Sequence, residues 1–209
     1  SSVTEICEYA FVECSSLTEI RIPSSVSSIG DYCFSGCSSL KEVEIPHSVT
    51  KIGCWTFFAC TSLLKIKMPD SLTSIGESAF SKCLSLEELN LPVSILSIGK
   101  YAFSGCQMMK KISFPNQLNQ IENGVCSGCK SLNYVSIPSS VKRINKMAFR
   151  GCSALNEVFI PSSVTEFGSL PFADCSSLSK LIFPSSKNMS SIISSINIDK
   201  KVQKIFLSE

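Results

Sequence analysis

The chain has 209 residues, 44% of them apolar and 17% charged, with a formal net charge of +2. That apolar share fits a folded chain and excludes a disordered polymer, and nine prolines with ten glycines are too few for a collagen-like one. No run approaches the 18 apolar residues of a transmembrane helix, Ser1–Glu5 lacks the features of a signal peptide, the small net charge argues against nucleic acid, and a single histidine, His47, leaves little for imidazole chemistry.

From the N-terminus onward the sequence repeats. Pro23, Pro46, Pro69, Pro92, Pro115, Pro138, Pro161 and Pro184 follow one another at 23-residue steps, and Cys14, Cys37, Cys60, Cys83, Cys106, Cys129, Cys152 and Cys175 keep the same step. The unit reads P-x-x-V-x-x-I-G-x-x-A-F-x-G-C-x-x-L-x-x-V-x-I. Nine units fill residues 1–209 as one domain. Ser1 stands where the residue after proline belongs, so the chain is expected to begin inside a repeat. The ninth unit, 184–209, loses the Ile-Gly and Phe-x-Gly-Cys signals, and its closing strand (Val202, Ile205, Leu207) falls one residue late. It reads as a degenerate capping unit.

Within a unit, Leu40, Val43 and Ile45 end in the alternation of a short half-buried strand. Proline follows, which fixes φ, lacks an N–H and ends the strand. Val26 and Ile29 suit a short strand or turn, and Phe34 then suits a helical turn on the opposite side. Gly30, Gly53, Gly76 and Gly99 mark a corner, where glycine makes a positive φ cheap. One unit cannot bury its own apolar face, so stacking in parallel at about 4.8 Å is required.

The Leu-x-x-Val-x-Ile strand and the 23-residue period resemble leucine-rich repeats, and the segment Ile98 to Cys106 looks specifically like the BspA-like class. The resemblance implies an α/β fold: a right-handed horseshoe solenoid with a parallel β-sheet on its concave face, and short strands with helical turns on the convex side. It also implies a cell-surface or secreted setting, a role in adhesion and no catalytic residues, although the residues themselves do not oppose a cytoplasmic location. Glu122 and Asn145 depart from the corner glycine, and Cys126 from the phenylalanine.

The eight periodic cysteines are expected to point inward as small apolar groups. Neighbouring rungs are close enough to bridge, yet each has two equal neighbours, which argues against a designed disulfide. Cys126-x-x-Cys129 has a zinc or redox spacing without a second pair, so it reads as a core substitution. Cys7 and Cys54 fall at corners and are the thiols expected at the surface.

No phosphate loop, Gly-x-Ser-x-Gly elbow or His-Glu-x-x-His motif occurs, and no cofactor or metal is called for. His47 replaces a turn serine. Asn188-Met189-Ser190 has the pattern of a glycosylation acceptor. The chain therefore reads as a non-enzymatic protein-interaction or adhesion module.

The candidate surfaces follow from the periodicity. The resemblance turns the residues flanking each strand valine outward on the concave face. There Glu42, Lys65, Glu88 and Lys111 alternate in sign and can pair laterally. Tyr134, Phe159 and Ile182 instead put apolar groups outward near the C-terminal end, as a partner's anchor site or as a surface covered by the end cap. Tyr9, Tyr32, Trp55 and Tyr101 share a position two before the phenylalanine, which is either a cover for the phenylalanine column or a protein or glycan contact. The expected partner is another protein or a surface glycoprotein, without membrane insertion. The alternative is a self-assembling repeat protein that associates through the open edge at Leu17–Ile22.

Overall fold

The computed structural model describes residues 3–184, 196 and 201–207. Over them the chain forms a parallel-strand β-solenoid of about eight turns. Strands are numbered in chain order and fall into two series. The short series is β1 (Glu5–Ile6), β2 (Ser28–Ile29), β4 (Lys51–Ile52), β6 (Ser74–Ile75), β7 (Ser97–Ile98), β9 (Gln120–Ile121), β11 (Arg143–Ile144) and β13 (Glu166–Phe167). The long series is β3 (Glu42–Glu44), β5 (Lys65–Lys67), β8 (Lys111–Ser113), β10 (Tyr134–Ser136), β12 (Glu157–Phe159), β14 (Lys180–Pro184) and β15 (Gln203–Leu207).

The register is the sequence period made physical. Ile29 would meet its counterpart one unit on, and so it is along the chain: Ile52 pairs with Ile75, Val43 with Ile66 and Val135 with Ile112, each across parallel strands. Equivalent residues therefore stack as columns, and most core positions are buried in each of the central units, whereas Val3 and Cys14 of the first unit are exposed. Proline sets the turn that follows each long strand: the N–H of Val26, Val49, Leu72 and Ile95 donates to the carbonyl of the proline three residues before, at 3.0–3.2 Å. The middle residue of each three-residue strand is buried, whereas the first is exposed, as single-sided burial demands.

The side opposite the long strands is built from turns, and the described residues contain no helix. The expected helical turns are replaced by a left-handed device. Two positions per unit, two before and two after the phenylalanine, hold a positive φ in all eight units, from Tyr9 (60°) and Glu13 (57°) to Leu170 (58°) and Asp174 (59°). A residue in that region cannot propagate a right-handed helix, so each turn closes after one i→i+3 bond.

The corner glycines have a different cause from the one expected. None of Gly30, Gly53, Gly76 and Gly99 has a positive φ. Their units approach so closely that a side chain has no room: a Cβ on Gly30 would lie 2.4 Å from the Glu8 amide nitrogen, and one on Gly76 2.6 Å from that of Cys54. The positive-φ glycines are instead Gly36, Gly105, Gly124, Gly128 and Gly151.

The core is a set of stacked columns. Phe34, Phe57, Phe80, Phe103 and Phe149 are wholly buried, and their rings stack in parallel at 5.4–5.8 Å from Phe34 to Phe103. Phe11 is partly buried and stacks on Phe34 at 5.2 Å, and Phe172 stacks on Phe149 at 5.5 Å. Cys126 interrupts the column, as its sequence position requires.

The cysteines of the periodic column are buried from Cys37 to Cys175, but Cys14 is exposed, because no described unit stacks against its outer side. Their role exceeds space-filling. Each thiol from Cys37 to Cys175 donates to the carbonyl of the phenylalanine-column residue in the preceding unit at 3.1–3.2 Å. Serines do the same at another corner: Ser25, Ser71, Ser94 and Ser140 donate to carbonyls of the preceding unit at 2.6–3.2 Å, and Ser48 makes the equivalent bond to Val26. Small side-chain donors thus tie unit to unit where the backbone ladder is interrupted.

The terminal strand corrects a further expectation. β15 is not displaced by one residue: Lys180 pairs with Gln203, Ile182 with Ile205 and Phe183 with Phe206, at the regular 23-residue step. Its apolar pattern is what has shifted. Lys204 takes the place of a buried valine and is exposed, while Ile205 faces outward beside Ile182.

Candidate interaction face

The outward residues of the long strands form two columns. The first runs Glu19, Glu42, Lys65, Glu88, Lys111, Tyr134, Glu157, Lys180 and Gln203; the second runs Arg21, Glu44, Lys67, Asn90, Ser113, Ser136, Phe159, Ile182 and Ile205. Side chains on one column are neighbours across strands about 4.8 Å apart.

The N-terminal half of this face is ionic. A hollow of about 1040 Å³ opens there, lined by Glu19, Arg21, Glu42, Glu44, Lys65 and Lys67 among others. Lys67 Nζ sits 2.6 Å from Glu44 Oε1, and this hydrogen bond, with the lysine charge, holds the Glu44 carboxyl below its ordinary range. Lys111 reaches Glu88 at 3.1 Å and Lys180 reaches Glu157 at 3.8 Å. The expected pairing is only partial, however. Glu42 and Lys65 share a register, yet among the described residues no ion pair joins them, and Glu19 bridges in parallel to Glu42, another carboxylate. The pairs that do form are exposed and each contributes about 0–1 kcal/mol.

The C-terminal half is apolar in one column. Phe159, 46% exposed, pairs in register with Ile182, which pairs with Ile205, so three apolar side chains lie side by side on β12, β14 and β15. Tyr134, 55% exposed, belongs to the other column, in register with Lys111 and followed by Glu157. The structure therefore brings together Phe159 and Ile182 and leaves Tyr134 at the margin. The late apolar pattern of the ninth unit hides Ile205 from sequence reasoning, although the unbroken 23-residue spacing from Ile182 carries the signal. Leu207, exposed, extends the apolar surface along β15, whereas Phe206 takes the inward position and stacks on the buried Phe183 at 5.7 Å.

On the opposite side, Tyr9 stacks on Tyr32 at 5.0 Å and Tyr32 on Trp55 at 5.9 Å, with rings within 15° of parallel. Phe58 packs against Trp55 at 4.8 Å, and Lys82 Nζ lies 5.1 Å over the Phe58 ring. Tyr101 does not join this stack. Buried Ser78 intervenes in the column, and the Tyr101 ring lies where a Cβ on Gly124 would stand. The stacked rings cover one another's faces, so along most of its length the strip offers ring edges outward.

The remaining candidates are placed as follows. All twelve cysteines are free thiols; Cys7 is exposed and Cys54 half-buried. Burial pushes the Cys33 thiol up to about 12 and those of Cys37 and Cys175 up to about 11, so these groups stay protonated. Cys126 and Cys129 are both buried, and among the described residues no three His, Cys, Asp or Glu side chains converge as metal ligands. His47 is exposed, and Asn188 to Ser190 lie outside the described residues. No helix among the described residues is long and apolar enough to cross a membrane.

The comparisons with known proteins agree with this geometry. A family model for the BspA type leucine rich repeat region matches residues 1–95 and 73–199, in six copies. A leucine-rich repeat protein from Bacteroides ovatus is 30% identical with a TM-score of 0.75, over 98% of this chain and 66% of that one. The T. pallidum leucine-rich repeat protein is 27% identical with a TM-score of 0.69, over 96% of this chain and 80% of that one. A leucine-rich repeat protein from Eubacterium ventriosum shares the fold at 22% identity and a TM-score of 0.56, over 99% of this chain and 71% of that one. No curated protein matches the chain in sequence. With matching repeats over most of its length and the same unit-by-unit stacking, the chain belongs to the BspA-type leucine-rich repeat family.

Proposed function

We propose that this chain is a non-enzymatic protein-interaction module that holds its partner on the long-strand face, as an adhesion protein does at a cell surface. The observation that carries the reading is the column Phe159, Ile182 and Ile205. A repeat whose equivalent positions elsewhere carry Arg21, Glu44 and Lys67 has exchanged charge for apolar side chains on three adjoining strands. Exposed apolar groups of this kind supply most of an interface's binding energy, whereas exposed ion pairs supply little. Membership of a repeat family built to display side chains from a rigid sheet supports the same reading.

The test is a comparison of two variants against a partner recovered with the immobilised protein. Phe159→Ser is expected to weaken binding by about 2 kcal/mol or more, and Lys65→Glu by less than about 1 kcal/mol. The opposite ranking would move the site to the ionic end of the face. Sedimentation of the protein alone separates hetero-recognition from self-assembly: a monomer at all concentrations supports the first, and a dimer or filament the second.

A further inference from the structure

The small net charge of the whole chain conceals a strong segregation. Residues 3–50 carry seven carboxylates against two cations, while the described residues from 100 onward carry eleven cations against four carboxylates. In a solenoid, sequence position is position along the axis, so the two ends of the molecule have opposite sign. The apolar column lies at the basic end. On their outward side, strands β10, β12, β14 and β15 bear one carboxylate, Glu157, and one ammonium group, Lys180, with Lys130 and Lys201 on the segments leading into β10 and β15. Lys180 holds Glu157 only loosely, at 3.8 Å.

From this juxtaposition we propose that the apolar column Phe159–Ile182–Ile205 docks an acidic, amphipathic protein segment, whose apolar side chains sit on the column and whose carboxylates meet the lysines around it. The inference rests on the interaction-module reading and names the class of partner. An interface core of apolar anchors inside a rim of complementary charge is the usual anatomy of a specific contact, the anchors supplying affinity and the rim supplying orientation and rate. A basic segment would meet like charge at this end. At the other end of the same face, Glu19 and Glu42 stand in register as two carboxylates, so a partner spanning the face is accepted in one direction only.

The experiment uses the full chain and three synthetic peptides of about fifteen residues, long enough to cross three strands at about 4.8 Å each. One alternates leucine and phenylalanine with glutamate, the second replaces glutamate by lysine, and the third replaces the apolar residues by serine. Binding is read by fluorescence anisotropy. The first peptide is expected to bind at least about tenfold more tightly than the others and to weaken between about 50 and 500 mM salt. Phe159→Ser and, separately, the pair Lys130→Gln with Lys180→Gln should each weaken it, with thermal melts confirming that both variants remain folded. Equal binding of the lysine peptide, equal binding of the serine peptide, no effect of Phe159→Ser, or no binding of any peptide would each overturn the proposal. So would a self-associated state that Phe159→Ser abolishes, since the occupant would then be a second copy. If the peptides fail while Phe159→Ser still weakens a recovered protein partner, the interaction-module reading stands and only the acidic class is wrong.

Discussion

The ring of Phe114 meets that of Phe149 edge to face, with centroids 6.3 Å apart. Phe114 closes the strand of the fifth unit and Phe149 belongs to the seventh, so this contact passes the level at which Cys126 interrupts the phenylalanine column. Phe114 itself replaces the smaller aliphatic residues Ile22, Ile45, Ile137 and Ile160 of other units, and it is buried. A large side chain from one column thus reaches the level at which another column carries a small one.

That contact changes what is expected of the sixth unit. Restoring the repeat pattern with Cys126→Phe should destabilise the protein by about 1–3 kcal/mol, because the space is already occupied. Phe114→Leu alone should also destabilise, and the two together should recover most of the loss. Urea unfolding of the four proteins measures the coupling; additive losses would show that Phe114 does not fill the gap. Phe80→Ala, at an unbroken rung, should cost about 3–5 kcal/mol.

The two classes of glycine predict two sizes of effect. Gly105 has a φ of 74° with its nearest neighbours at 3.6 Å, so Gly105→Ala meets backbone strain alone and should cost about 1–2 kcal/mol. A Cβ on Gly76 would lie 2.6 Å from the preceding unit's backbone, so Gly76→Ala must push two turns apart and should cost more. Ala59, with a φ of 55°, supplies the converse: Ala59→Gly should leave stability unchanged or raise it. Thermal melts that rank Gly105→Ala as the worse substitution would contradict the close-approach account.

The buried thiols make stability fall in alkali. Burial holds Cys83, Cys106, Cys126 and Cys152 well above their ordinary value near 9, and raises Cys33 to about 12. An unfolded chain releases these protons near pH 9 and the folded chain does not, so the unfolded state binds fewer protons and gains as pH rises. Full stability is expected below about pH 8, with progressive loss above about pH 9. Urea midpoints across that range test it, and Cys83→Ala should flatten the slope; a midpoint independent of pH would contradict it. In the same native protein a thiol reagent should reach Cys7, Cys14 and, more slowly, Cys54.

Much of this molecule was legible in its sequence because the fold is a repetition. The 23-residue step implies the parallel register and the buried columns, and the family resemblance implies the outward strand positions. What the pattern hid was of two physical kinds. Glycine at the Gly30 position signals either a left-handed backbone or a close approach, and only the distance between turns separates the two. The positive φ lies at Tyr32 and Glu13, residue types whose sequence signal for it is weak. The second kind is register at an irregular end. By apolar pattern Ile205 is a core residue, and by spacing it is an outward one. Backbone pairing keeps the spacing and turns Ile205 outward, so the candidate site takes its third member from the degenerate unit.

The most direct measurement of the central claim is amide hydrogen exchange on the protein with and without its partner. The apolar column on β12, β14 and β15 is the surface that the account assigns to binding. Protection on complex formation should appear at 157–159, 180–184 and 203–207, with little change at 9, 32 and 55. A footprint over the ionic hollow between Glu19 and Lys67, or along the Tyr9–Tyr32–Trp55 stack, with 157–159 unchanged, would contradict it.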